Sequence, residues 1–515
     1  MDTLNPDVPD DVFADVLKQI SQFVRSRVVP RELEIMNTDS IPDDLRKQSA
    51  EMGLFGYAIP QEWGGLGLNL IQDVEFAMEL GYTSLSLRSM FGTNNGIAGQ
   101  VLVGFGTEEQ KAKWLPGMAT GDIVASFALT EDGAGSNPAG LRTTAKVDGT
   151  GWVINGSKRY ITNAPIANMF VVFAKLDPKP ESGNGIAVFL VPADTAGIEV
   201  GVKDAKMGQQ GSGTADVNFT DVRVEADALV GGNGDIGYKA AMTSLARGRV
   251  HIAALAVGQA QRALDESVSY AAASTQGGEP IGNFQLVQAM IADQQVGVMA
   301  GRAMVREAAR AWVQETDRRI APSAVKLFCT EMVGKVADLA VQIHGGAGYM
   351  REVPVERIYR DVRLLRLYEG TSEIQRLIVG GGLMLVIFDY TGWALTFGTI
   401  GVLLLVASIP ILLRDEPPRE RTLDDGEPMD WRAILAIVKR PGMASWLLVL
   451  VLYKFGESLA GGMLRPYLVD LGMREAQIGW MLGAAGFTSG LIGALAGGWG
   501  AQKLGRRRAL ILFGA

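Results

Sequence analysis

The chain contains very little cysteine and histidine for its length. Among 515 residues there are one cysteine, Cys329, and two histidines, His251 and His344. A single cysteine excludes an intrachain disulfide framework and is typical of a reducing compartment. The same scarcity leaves Cys/His zinc sites and a Ser-His-Asp triad poorly supported, so we predict no metal site. A proton that this protein abstracts must therefore go to a carboxylate, a lysine or a tyrosine.

An excess of positive charge and an N-terminal apolar stretch are also absent. The formal net charge is −8 and the sequence pI is about 5.2, which argues against a nucleic-acid partner. The first seven residues, Met-Asp-Thr-Leu-Asn-Pro-Asp, are acidic and contain no apolar stretch, so we expect neither a secretory nor a transit peptide. We therefore expect a cytoplasmic enzyme. With 48% hydrophobic residues, the chain has room for several domains and a large core.

The hydrophobic pattern changes twice between residues 1 and 385 and predicts an α+β protein. Residues 1–120 have helical periodicity, as in Val12–Val29, and 236–385 have it again, as in Leu245–Leu264. Residues 121–235 contain short β-rich runs between turns. These runs are Ile123–Leu129, Trp152–Ile154, Met169–Phe173, Gly185–Val191 and Ala215–Val217.

The stretch Tyr368–Arg376 contains a carboxylate at a position suited to function. Glu369 is followed by Gly370, which lets the backbone approach a ligand closely. Thr371 can cap the helix that the apolar spacing predicts after it. Glu369 should therefore lie on a loop at a helix start, where functional side chains are common. Taken alone, the same pattern also fits an exposed acid before a helix.

Two further loops lie among the predicted strands. Phe127–Asn137 is glycine-rich and carries hydroxyl groups, so it could present backbone N–H groups to a phosphate, or be an ordinary hairpin loop. Asn155–Ala164 begins with an Asn-Gly pair that predicts a turn, and Tyr160 within it could be a simple strand aromatic.

Residues 342–376 closely resemble the C-terminal signature of the acyl-CoA dehydrogenase family, through Gln342–Tyr349, Arg357, Asp361 and the Tyr-Glu-Gly-Thr motif. The resemblance implies an N-terminal helical domain (1–120), a middle β-domain (121–235) and a C-terminal four-helix bundle (236–385). It also implies that Glu369 is the catalytic base that removes the α-proton of an acyl-CoA thioester. In some relatives the base lies on the helix that contains Gly248, and the glycine there leaves Glu369 without a visible rival.

The resemblance implies FAD as the cofactor and assigns residues to two sets of contacts. Arg249 matches a family arginine near the thioester, although a solvated helix charge is an equally good explanation of that residue. The acyl-CoA contacts implied are Ser136, Arg249, Tyr368 and Gly370. The FAD contacts implied are Phe127, Thr130, Ser136, Tyr160, Thr162 and Thr371, with Gln288, Gln342 and Gly346 reaching FAD from a neighbouring subunit. Thr130 would contact the pyrimidine side of the flavin, Thr162 its N5 atom, and Ser136 the pyrophosphate.

One segment departs from the family pattern. After Tyr270 the family usually has Arg-x-x-Phe-Gly, whose arginine and phenylalanine contact FAD across a subunit interface. This sequence has Ser274 and Gly277 at those two positions. The guanidinium and the aromatic ring are both lost, so we expect weaker retention of FAD.

The activity implied is the introduction of an α,β double bond into an acyl-CoA. Glu369 takes the α-proton, and the β-hydrogen leaves as hydride to the flavin N5 atom. The reduced flavin passes electrons to an electron-transfer flavoprotein, and family members are commonly homotetramers. An acyl-CoA oxidase would share these motifs but let oxygen reach the flavin.

The resemblance stops near residue 385, and residues 386–515 have a different character. Thr391–Leu413 is uncharged and long enough to cross a bilayer, and Met443–Leu464 and Ile478–Trp499 are further apolar segments. The basic residues in the loops 414–440 and 503–508 would lie on the same side of the membrane. Leu452–Glu457 and Gly498–Arg508 resemble a major-facilitator transporter of the muropeptide-permease type. We therefore expect a partial transporter that binds membrane through 391–515; buried globular helices are the alternative.

Overall fold

The computed structural model describes residues 8–179 and 185–381. By its internal contacts the chain divides into two compact units, Met1–Gly380 and Gly381–Ala515. The three predicted membrane spans fall in the second unit and lie outside the described residues. Within the described ranges, no helix is both long and apolar enough to span a bilayer.

Helices occupy the first region of the chain. The α-helices are α1 (Asp10–Phe23), α2 (Glu32–Thr38), α3 (Asp43–Glu51), α4 (Leu70–Leu80), α5 (Leu85–Asn95), α6 (Ile97–Phe105) and α7 (Glu108–Thr120). Polar caps begin two of them: the Asn69 side chain accepts from the Gln72 N–H before α4, and Thr107 and Gln110 form a reciprocal capping box at α7. All eleven residues of α5 are buried, so this helix runs through the interior.

A seven-stranded sheet follows. Its strands are β1 (Ala125–Ala128), β2 (Thr144–Asp148), β3 (Gly151–Thr162), β4 (Met169–Asp177), β5 (Ile186–Pro192), β6 (Ile198–Val200) and β7 (Thr214–Val224). They lie in the order β1-β4-β2-β3-β7-β6, and β5 pairs with the other edge of β4. β1 and β2 are both parallel to β4, along its first and second halves respectively. β1 and β3 run in opposite directions, and the loop after β1 lies beside the last part of β3, where the Arg159 N–H donates to the Thr130 carbonyl at 2.9 Å.

Helices return after the sheet. They are α8 (Gly237–Ala273), α9 (Gln285–Val313), α10 (Ile320–His344), α11 (Pro354–Val362) and a last helix, α12, over residues 372–381, and a small hairpin of β8 (Thr275–Gln276) and β9 (Glu279–Pro280) precedes α9. α8 packs against α4, α6, α9 and α10, and one apolar core joins these late helices to the early ones. A second core joins α6 and α7 to one face of the sheet, and a third lies on its other face.

The expected sequence of a helical, a β and a helical region is confirmed, and two local predictions were wrong. Asn155 and Gly156 do not form a turn but lie inside β3, at a shift of its register with β7. The reason is close approach: a Cβ on Gly156 would stand 2.7 Å from the Thr143 Cα, so the glycine serves strand packing. The strands β2 and β6 were missed, because their side chains are mostly exposed and lack an apolar run.

Candidate active site

The loop after β1, the last part of β3 and several buried helices line a cavity of about 1050 Å³. Its walls come from α5, from the first half of α8, from the loop after β1, from the end of β3 and from the turn before α12. The predicted site residues that line it are Phe127, Thr130, Ser136, Tyr160, Thr162, Arg249, Tyr368, Glu369 and Gly370. Residues far apart in the sequence are thus brought to one cavity.

Glu369 lies on a tight turn in the wall of this cavity. Its φ is 53°, in the left-handed region that side chains rarely adopt, and Gly370 follows with φ 92°. The Glu369 Oε2 atom is buried and accepts no hydrogen bond from the described residues. A Cβ on Gly248 of α8 would stand 2.5 Å from that oxygen. The carboxylate therefore packs against Gly248 with one oxygen unpaired, as a base needs before its substrate arrives.

Three buried donors hold the backbone of this turn. The Lys326 Nζ on α10 donates to the Gly370 carbonyl at 2.7 Å, and the Arg249 Nε on α8 donates to the Glu369 carbonyl at 3.3 Å. The Gln375 Nε2 on α12 donates to the same two carbonyls, at 2.9 Å to Gly370 and 3.2 Å to Glu369. These bonds stabilise a backbone conformation that is unfavourable by itself. They fix where the carboxylate points.

Burial and charge compete at Glu369. Burial raises the pKa of this carboxyl, while the positive charges of Arg88, Lys326 and Arg249 act in the opposite direction and do not fully compensate. Burial also lowers the pKa of Lys326 to about 8, against the attraction of Glu369. A buried carboxyl with a raised pKa, facing a cavity, is a good candidate for a general base.

The loop that contains Thr130 is held by a buried ion pair. The Lys158 Nζ on β3, fully buried, lies 2.7 Å from the Glu131 Oε1 and donates to the Leu129 carbonyl at 3.2 Å. Glu131 also accepts from the Thr143 hydroxyl at 2.6 Å and from the Thr143 N–H at 3.0 Å. Thr130 lies between these anchored residues, so its hydroxyl is presented at a fixed place.

Tyr160 also lines the cavity and is largely exposed. Its side chain is 61% exposed and its φ is 58°, while the next residue but one, Thr162, is half-buried. The Arg159 guanidinium stands 5.0 Å from the centre of the Tyr160 ring. An exposed aromatic ring at positive φ is unusual for a strand and favours contact with a ligand.

Four predicted contacts do not line the cavity. Gln288 and Gln342 are exposed on α9 and α10, and Gly346 is exposed with no atom near its would-be Cβ. Their assignment to FAD of a neighbouring subunit stays a prediction. Thr371 accepts from the Ile374 N–H at 3.4 Å, so its predicted role as helix cap is confirmed, and its contact with FAD remains a prediction.

The structure adds buried polar residues that the sequence reasoning missed: Tyr57, Asp73, Arg88, His251 and Lys326. It also overturns the solvated alternative for Arg249, which is only 8% exposed. A signal was present for His251 and Lys326, where an imidazole or charged side chain interrupts a largely apolar stretch of helix. Such a group is rarely buried unless it is paired or functional.

Comparison with known proteins decides the family. The chain matches the family models for the acyl-CoA dehydrogenase N-terminal domain at residues 13–122, the middle domain at 126–222 and the C-terminal domain at 235–384. The chain belongs to the acyl-CoA dehydrogenase family. It is similar to a probable acyl-CoA dehydrogenase of Bacillus subtilis, at 38% identity over 72% of this chain and 97% of the relative. It is also 35% identical to the human mitochondrial short-chain specific acyl-CoA dehydrogenase, over 72% and 89% of the two chains.

Solved structures agree with the sequence relatives. Butyryl-CoA dehydrogenase from Megasphaera elsdenii has a TM-score of 0.69 and 30% identity, covering 74% of this chain and all of that one. Glutaryl-CoA dehydrogenase from Mycobacterium smegmatis has a TM-score of 0.68 and 29% identity, and the match covers 73% of this chain and 95% of that one. The dehydrogenase family is one of flavoprotein-type oxidoreductases that act on acyl-CoA substrates. Residues 377–515 match a different model, that of the Major Facilitator Superfamily.

The dehydrogenase cavity has features that fit a flavin. Hydroxyl groups of Thr130, Ser136 and Thr162 and the open ring of Tyr160 line one part of it. Gly135 has no atom closer than 4.0 Å to its would-be Cβ, which leaves the loop open beside Ser136. Hydroxyl donors beside an aromatic surface suit a polar, planar ring system.

Proposed function

We propose that this chain is an FAD-dependent acyl-CoA dehydrogenase that introduces an α,β double bond into an acyl-CoA thioester, with Glu369 as the base. The observation that carries the proposal is the unpaired, buried Glu369 Oε2 on the wall of the cavity, with the turn behind it held by three donors. A carboxylate so placed can accept a proton without first breaking a hydrogen bond.

The backbone of the same turn supplies a second interaction. The Glu369 N–H has no acceptor among the described residues, so it is available to a thioester oxygen. As the α-proton moves to Glu369, negative charge develops on that oxygen, and an N–H donor stabilises it. The cations Arg249 and Lys326 donate to the carbonyls of the turn and also favour negative charge on that oxygen. One turn therefore holds both the base and a donor for the enolate.

We expect the FAD contacts to come from the loop after β1 and from the last part of β3. We assign the flavin ring to Thr130, Tyr160 and Thr162 and the pyrophosphate to Ser136, with Phe127 and Thr371 nearby. When bound, FAD supplies the two-electron acceptor that removal of the β-hydrogen requires. The Lys158–Glu131 pair keeps Thr130 in place whether or not a ligand is present.

An anaerobic screen of acyl-CoA thioesters of different chain length tests this function. Purified protein with FAD should lose its flavin absorbance with one class of thioester and keep it with free CoA. An electron-transfer flavoprotein should then restore the colour faster than air does. Faster restoration by air would identify an acyl-CoA oxidase, and retained absorbance with every thioester would contradict the proposal. We further propose a homotetramer, which sedimentation analysis of the same sample would test.

A further inference from the structure

Three buried side chains from three helices form a chain of hydrogen bonds behind the cavity. The His251 Nδ1 on α8 lies 2.7 Å from the Asp73 Oδ1 on α4. The Arg88 Nε on α5 donates to the His251 Nε2 at 2.9 Å. Asp73 is fully buried, and His251 and Arg88 are 2% and 9% exposed. We call this set the Asp73–His251–Arg88 relay.

Geometry fixes the protons of the relay. The Arg88 Nε–H can only donate, so the His251 Nε2 must carry a lone pair and no proton. The remaining proton of a neutral imidazole is then on Nδ1, which donates to Asp73. Asp73 also faces the Arg247 Nη1 at 2.7 Å. Burial opposes its ionisation, but His251 and Arg247 lower the pKa of Asp73 to about 2. Burial keeps the pKa of His251 low, against the charge of Asp73.

The relay ends in a cation at the cavity. Arg88 lines the cavity together with Tyr57, Tyr368 and Glu369. Its direct acceptor in the relay is a neutral imidazole rather than an acid, so the relay orients the guanidinium without cancelling its charge. Among the cations that act on Glu369, which are Arg88 on α5, Lys326 on α10 and Arg249 on α8, Arg88 has the largest effect. Its position thus matters directly to the base.

We propose that Asp73 and His251 are positioning residues that orient the Arg88 guanidinium toward the cavity, where its charge favours the ionised, proton-accepting form of Glu369. The inference rests on the function proposed for Glu369. Arg88 also hydrogen-bonds the Tyr57 side chain. Without the His251 acceptor, the guanidinium would no longer be held from the side of α8, and its effect on the carboxylate would weaken.

Two substitutions of His251 separate the ends of the relay. In His251→Asn the amide can still donate to Asp73 but is too short to reach Arg88. In His251→Gln the amide oxygen stands near the place of Nε2 and still accepts from Arg88. Arg88→Met removes the charge itself. Two pH profiles are the readouts. One is the pH profile of kcat/KM, and the other is the pH profile of the exchange of substrate α-protons with deuterated water, followed by NMR.

The expected pattern is asymmetric. Arg88→Met and His251→Asn should both move the acidic limb of the two profiles to higher pH, by about one pH unit, which is a tenfold change in the ionised fraction of Glu369. His251→Gln, which keeps the acceptor for Arg88 but loses the bond to Asp73, should move the limb less than His251→Asn. A residue that only supports packing would lower the rate without moving the limb, so unchanged limbs in Arg88→Met and His251→Asn would overturn the proposal.

A spectroscopic measurement on the unaltered full-length chain keeps the test independent of activity. The chain has only two histidines, so a nitrogen-15 spectrum of histidine-labelled protein contains two imidazoles, His251 and His344. A His344→Gln variant identifies the His251 signals. We expect a protonated Nδ1 and a bare Nε2. A protonated Nε2 would refute the relay. If Glu369→Gln keeps full turnover, the proposed function fails instead, whatever the spectrum shows.

Discussion

Replacement of Glu369 tests the base most directly. In Glu369→Gln the side chain keeps its size, but an amide cannot accept the α-proton. General-base catalysis by a positioned group contributes roughly 10²–10⁴ in rate, so we expect turnover to fall by about a thousandfold or more while the fold and bound flavin are retained. The substitution also removes the negative charge that favours protonated Lys326, so the pKa of this lysine should fall below about 8.

A second variant separates the presence of the base from its position. Glu369→Asp keeps a carboxylate but withdraws it by one methylene, about 1.5 Å. Since a misplacement of about 1 Å can lower the rate on the order of 100-fold, the Glu369→Asp variant should be slow but clearly faster than the Glu369→Gln variant. Glu373→Gln is the matched control, because Glu373 lies four residues later in the same motif and is exposed.

The assay is the anaerobic loss of flavin absorbance in a single turnover, which excludes product release. Samples should be matched for flavin content before mixing. We expect the order wild type and Glu373→Gln, then Glu369→Asp, then Glu369→Gln. If Glu369→Gln bleaches its flavin at near the wild-type rate, another residue takes the proton and the argument from the unpaired Oε2 is wrong.

Three further predictions concern the turn, the cofactor and the C-terminal region. Lys326→Met should raise the pKa of Glu369, because it removes a buried cation. The acidic limb of the pH–rate profile should therefore move to higher pH. Lys335 is exposed on the same helix, so the control variant Lys335→Met should leave the limb in place. Ser274→Arg should slow the loss of FAD during dialysis by restoring a charge-assisted bond of about 1.5–3 kcal/mol; equal loss from both proteins would contradict this. The full chain should sediment with membranes through 391–515 without transport activity, whereas a chain shortened to Gly382 should be soluble, yellow and active. A monodisperse full-length chain in the absence of detergent would contradict the membrane prediction.

Local features of the fold could be predicted from the sequence where one short segment decides them. The helix predicted from the periodicity of Val12–Val29 appears as α1 at Asp10–Phe23. The Thr371 cap is also local, since the side chain acts on its own helix. In contrast, β2 pairs with β3 and β4, so its existence depends on partners that its own pattern does not reveal.

The site was predictable where the chemistry lies in a motif and not where it lies in tertiary contacts. Glu369 was found from its neighbours in sequence. Asp73, Arg88 and His251 come from three separate helices, and nothing in the spacing of any one helix says that they meet. Lys326 is a further example, because its acceptor, the Gly370 carbonyl, is 44 residues away.

The surroundings of Glu369 explain why so many elements must meet at one carboxylate. If Glu369 is the base, as we propose, burial strengthens it by raising its pKa, yet too much burial would leave it protonated and unable to accept a proton. Cations from α5, α8 and α10 oppose that tendency, and each is itself buried and therefore costly unless it is paired or hydrogen-bonded. Arg88 contacts His251, and Lys326 and Arg249 donate to the carbonyls of the turn. Lys326 and Arg249 thus both act on the charge of the proposed base and hold its turn, so a change to either should alter both the pH dependence and the rate.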